Sequence, residues 1–132
     1  MEWNEFLLYE KASYDTIFVK KTFVDIAKDL SAGILLSQII YWCLPDKKGK
    51  TKLRVLKDGN LWLSKSYNEW WDEIRLTEGQ VRRATNKLKK INILTTKLYK
   101  FNGAPTLHYR LIENSFLELY NKTIKNSDSY IM

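Results

Sequence analysis

Apolar residues recur along this chain with a period that changes several times, and each change predicts an element. Residues 1–13 carry Trp3, Phe6 and Leu7 at helical spacing, but the segment is short and its state stays open. Residues 16–21, TIFVKK, are β-branched and aromatic and predict a strand. Thr22 is placed to cap a helix from Phe23 to about Asp29, with Phe23, Ile26, Ala27 and Leu30 turned inward. With Ser31 as a second cap, AGILLSQIIYWCL is apolar nearly all round. That predicts a buried central helix ended by Pro45. In residues 46–60, KLRVLK alternates and Asp58-Gly59 marks a turn toward NLWLSKS. This predicts a basic hairpin or a mobile loop.

The second half is more regular. Ser66 and Glu69 have the spacing of a capping box. Behind them Tyr67, Trp70, Trp71 and Ile74 form one apolar stripe. A tight connection leads to Thr77, which with Gln80 repeats the capping pattern. Val81, Ala84, Leu88 and Ile91 then form the inner face of a second helix. Residues 91–101 change to strand period, Asn102-Gly103 supplies a positive-φ turn, and residues 106–111 alternate again with Leu107, Tyr109 and Leu111 on one face. A last helix over about residues 114–125 offers Phe116, Leu119, Tyr120 and Ile124. The tail from Asn126 reads as frayed. Helix, tight turn, helix, strand, turn, strand is the order of a winged helix-turn-helix. The fold expected is therefore α+β and helix-rich, with a C-terminal β-hairpin wing. One domain spans residues 1–132, its core about 16–112.

Charge changes this picture from a fold to a candidate function. The chain has 132 residues and a formal net charge of +7. Residues 45–60 hold six basic and two acidic side chains, and residues 77–100 hold seven and one. The rest of the chain is slightly acidic. Concentrated positive charge repels itself, and a polyanionic partner is its usual reason. The apolar run at residues 34–44 is too short to span a bilayer, and MEWNEF has no basic leader, so neither a membrane nor a signal peptide is expected. The single cysteine, Cys43, forms no disulfide within the chain and fits a reducing, cytoplasmic setting.

At 100° per residue, Gly79, Arg82, Arg83, Asn86 and Lys90 lie opposite the apolar face of the Thr77 helix, with Gln80 and Lys87 on a flank. Arg reads guanine, Asn and Gln read adenine, and Lys grips the backbone. Gly79 would let a DNA backbone approach closely. Thr77 and the N–H groups at that end would hold a phosphate. A solvated face is the plain alternative, and the flanking helix and hairpin tip the balance toward double-stranded DNA. Chemistry is less visible elsewhere. His108 reads as structural, no second histidine or cysteine gives metal spacing, and Glu69, Asp72 and Glu73 read as a solvated or ion-paired face. No cofactor and no catalytic activity are expected. Trp42, Trp70 and Trp71 follow core spacing, while Trp3 and Trp62 stay open.

DLSAGILLSQIIYWC, SYNEWWDEIRLTEGQVRRATNKLKKINILTTKL and GAPTLHYRL together resemble the winged helix-turn-helix domain of replication proteins from phages and mobile elements, the replisome organisers and initiators. The resemblance covers about residues 16–112. It implies duplex binding by Arg82, Arg83, Asn86 and Lys90 on a recognition helix and by residues from Lys97 to Lys100 on the wing. Family members often continue into a second region, whereas this chain stops soon after the hairpin, and its 46–60 segment is longer and more basic. A role in replication initiation or in regulation is implied.

A second class of reading is a small viral module that engages or inhibits a host protein through Trp3, Phe6, Phe116, Leu119 and Tyr120. The same ends would alternatively build a homodimer matched to a two-fold DNA site.

Overall fold

The computed structural model describes residues 1–126. It is an α+β structure of six helices and one four-stranded antiparallel sheet. Helix α1 (Trp3–Ala12) comes first and buries none of its residues. Residues 13–20 follow without regular structure, so the expected strand at 16–21 does not form. A strand needs an edge to pair with, and here the backbone docks on a helix instead: the Lys20 N–H donates to the Ser37 hydroxyl, 3.2 Å away. Helix α2 (Lys21–Ala27) starts earlier than expected. Thr22 is therefore not its cap but a buried residue within it, and Lys20 takes the cap position without a side-chain bond.

Helix α3 (Leu30–Cys43) is the central element. Its cap is Asp29, whose carboxylate accepts from the Ala32 N–H at 2.9 Å, not the expected Ser31. At Gly33 the backbone of α2 lies tight against α3. A Cβ there would sit 2.7 Å from the Val24 Cα and 2.6 Å from its Cγ2. Leu35, Leu36 and Ile39 of α3 are fully enclosed, as the all-round apolar pattern predicts.

The basic segment forms a hairpin, though its first strand is shorter than KLRVLK. Strand β1 (Val55–Lys57) pairs with β2 (Asn60–Ser64) across Asp58 and Gly59, both at positive φ as a tight two-residue turn requires. Helix α4 (Tyr67–Ile74) and helix α5 (Glu78–Lys90) both carry complete capping boxes, Ser66 with Glu69 and Thr77 with Gln80. Strand β3 (Leu94–Phe101) turns through Asn102 and Gly103 into β4 (Ala104–Leu111), which also pairs with β2. The strand order is β1-β2-β4-β3, so the two hairpins share one sheet with β1 and β3 at its edges.

Helix α6 (Glu113–Lys125) closes the chain. Its Phe116 is buried edge-on against Phe23, ring centroids 5.7 Å apart. That seam joins α6 to α2 and removes Phe116 from the exposed interface expected of it. One core links α2 and α3 to Trp70 and Ile74 of α4, Val81 and Leu88 of α5, and Tyr109 of β4. Trp71 is a further correction: it is 47% exposed. A stripe four residues wide on a short helix outruns the surface available to cover it, and Trp70 takes the inner place. Trp62 is buried and Trp3 is exposed. The tail beyond Asn126 lies outside the described residues.

Candidate nucleic-acid interface

Helix α4 and its successor are held as a unit. Leu76, in the connection between them, is buried, and Arg75 takes the left-handed conformation that ends α4, its φ +56°. The Arg75 guanidinium donates to the Trp71 carbonyl oxygen at 2.6 Å, which also accepts the Arg75 N–H, and to the Asp72 carbonyl oxygen at 3.2 Å, so side chain and backbone together close the helix end. Val81, Ala84, Thr85 and Leu88 bury the inner side of α5, with Ile91 half-covered. Every cation of α5 is thereby left on the outer side.

Those outer residues are not equivalent. Arg82 is exposed, ion-paired within the helix to Glu78 at 2.9 Å, and its guanidinium lies 5.4 Å from the Tyr67 ring centroid. Such an exposed pair contributes little and exchanges readily for a phosphate. Arg83, Asn86 and Lys90 are exposed. Gly79 has open space before it, since a Cβ would meet only the Arg83 Nη1 at 3.4 Å. Thr77 and Gln80 are occupied by the cap: the Thr77 hydroxyl accepts from the Gln80 N–H, and the Gln80 carbonyl oxygen accepts from the Thr77 N–H at 2.8 Å. Only the amide nitrogen of Gln80 remains to read a base. Lys87 bonds Asp29 at 2.8 Å, tying α5 to the start of α3. That bond, together with the Ala32 N–H, holds the Asp29 carboxyl below its usual range.

The two lysines expected to act together on the hairpin point apart. Lys97 and Lys100 differ by an odd number of positions in one strand, so they lie on opposite sheet faces. Lys97 reaches the β1–β2 turn and bonds Asp58 at 3.1 Å; the Tyr99 hydroxyl donates to the same carboxylate. Lys100 shares the helix-side face with Thr96. The Thr96 hydroxyl accepts from Lys89 of α5 at 3.2 Å.

Between α5 and the β3–β4 hairpin lies a notch of about 310 Å³ lined by Tyr67, Arg82, Thr85, Asn86, Lys89, Thr96 and Leu107. Lys89 and Tyr67 were absent from the residues singled out by helical angle. Lys89 sits seven positions after Arg82, two turns on, so the spacing held the signal. Tyr67 enters through the α4–α5 packing, which no local pattern reveals.

Two further polar groups, Glu73 and His108, make defined contacts within the fold. Glu73 accepts from the Gln38 amide at 2.7 Å and the Trp42 indole N–H at 2.8 Å, and pairs with the buried Lys65. It is thus a hub joining α3, α4 and the end of β2, more than a solvated face. His108 is fully buried beside Tyr99 and Phe101, its Nδ1 2.8 Å from the Thr106 carbonyl oxygen. Among the described residues no three His, Cys, Asp or Glu side chains are grouped to hold a metal ion, and no helix is long and apolar enough to cross a membrane.

The molecule is thus an α+β protein that presents a basic helix beside an antiparallel hairpin, with a polar notch between them. No family model, curated protein or solved structure matches the chain.

Proposed function

We propose that this chain is a winged helix-turn-helix protein that binds double-stranded DNA with a sequence preference, in replication initiation or regulation of a phage or mobile element. In this reading α4 is the supporting helix, α5 the recognition helix and β3–β4 the wing. The observation that carries it is the notch: Arg82, Asn86 and Lys89 share one opening between helix and hairpin, while Val81, Ala84 and Leu88 hold the other side of the helix in the core. Arg82, Arg83 and Asn86 are the base-reading candidates, with Lys89, Lys90 and Lys100 set for phosphates. Lys87 and Lys97 are tethered to Asp29 and Asp58, so their contribution requires those pairs to open. The replication or regulatory role is supported by the sequence resemblance alone.

The test is a gel-shift series with duplex DNA at two salt concentrations, repeated with Arg82→Ala and Arg83→Ala. Each substitution is expected to weaken specific binding by about 1–3 kcal/mol. Absence of any shift in low salt overturns the DNA reading. Unchanged affinity in both variants overturns the assignment of α5.

A further inference from the structure

We infer that residues 1–15 are a dimerisation arm, and that helix α1 of one copy seats in the groove between residues 16–18 and α3 of a second copy. Three independent observations support this occupant. The first is that α1 is poorly covered by its own chain. It has ten residues, none buried, and packs closely on no other described element. A helix of that length is marginal in water by itself, below the roughly 12–15 residues at which isolated helices begin to hold. Its apolar side chains wrap most of its circumference, so a covering surface is needed to hold it.

The second observation is area. Trp3, Leu8, Tyr9 and Phe18 are between 65% and 85% exposed, Tyr14 is 98% exposed, and Phe6 and Leu7 are also open to solvent. At about 200 Å² for each large side chain, these residues present roughly 900 Å² per copy, against about 800 Å² per partner in a standard stable interface. Trp3 and Phe6 already stack with centroids 5.3 Å apart, a preformed anchor.

The third is charge. Residues 1–15 hold four acidic side chains and one basic, a net −3, so the remaining chain carries +10. An acidic arm is drawn to the basic body of another copy, whereas two arms alone would repel. The groove that receives it is about 470 Å³, with Ile17, Phe18, Tyr41 and Trp42 as apolar walls and Ser37, Gln38, Lys65 and Glu73 as a polar floor. Lys52 stands at its rim, its ammonium 3.6 Å from the Tyr41 ring centroid. Because the groove lies at the root of the arm, a reciprocal exchange across a two-fold axis fills both grooves at once and closes the assembly.

Sedimentation of the full chain at micromolar concentrations tests this. The expected mass is twice that of the monomer. Trp3→Ser combined with Phe18→Ser is expected to weaken association a hundredfold or more. Circular dichroism should keep its melting transition, since neither residue belongs to the core. A wild-type chain that stays monomeric at tens of micromolar overturns the inference. So does a double variant that remains a dimer, which would place the interface elsewhere. Capture of a different protein by a monomeric chain counts with the first of these failures. The DNA reading stands or falls separately: a monomer that still shifts duplex sinks the arm alone, and a dimer that shifts none sinks the DNA reading alone.

Discussion

Tyr109 sits where β4 packs against α4. Its alternation in β4 marks it as inward-facing, and it is buried edge-on against Trp70, ring centroids 5.3 Å apart. Burial pushes its phenol up to about 12, partly offset by the nearby Trp70 and Thr85. The folded state therefore favours the neutral phenol more than the unfolded state does, where the group titrates near 10. That preference is fully present below about pH 10 and is lost as pH rises through about 12. The protein should unfold in alkali with a steep dependence on pH in that window. Tyr109→Phe, followed by fluorescence across the same range, should shift the midpoint to higher pH; an unchanged midpoint would show that other tyrosines control it.

At the scale of elements, the α2–α3 contact is the most constrained. Gly33 admits the Val24 backbone where any side chain would overlap it. Gly33→Ala gains helix propensity of about 1 kcal/mol, but forces α2 away from α3, a strain that in packed cores costs about 1–3 kcal/mol. Backbone is the atom met, so relief by a rotamer change is closed. The net expectation in urea denaturation is a loss of stability with an unchanged slope, and a stabilised variant would contradict the contact. The capped pair α4–α5 was readable from Ser66, Glu69, Thr77 and Gln80 because a capping box is a local, four-residue event. The start of α2 was not, because Lys20 caps it without a side-chain bond and a helix begun by tertiary packing leaves no sequence mark.

For the whole molecule, the two basic segments meet at the Lys97–Asp58 pair, on the face of β3 opposite the one that carries Thr96 and Lys100 beside α5. Residues 45–60 build the β1–β2 hairpin, while β3, next to α5 and its notch, forms the opposite edge of the sheet. If α5 and Lys100 neutralise about six phosphates, log K against log salt should fall with a slope of about −5. Neutralising Lys47, Lys48 and Lys50 together should then leave the slope nearly unchanged in a fluorescence titration. A slope that drops by two or more would bring the loop ahead of β1 onto the DNA.

The sequence alone determined the period of α3 and of the elements from α4 onward, the turns at Asp58-Gly59 and Asn102-Gly103, the two capping boxes and the outward side of α5. These depend on neighbours within a few residues, where sterics and hydrogen-bond geometry leave few choices. Only the tertiary structure decided that residues 16–21 dock rather than pair, that Phe116 serves the core, that Lys97 and Lys100 face apart, and that Lys89 joins Arg82 and Asn86 in one notch. Those outcomes turn on which distant surface is left available once the core has closed, and such competition between remote segments is settled by packing, not by local pattern.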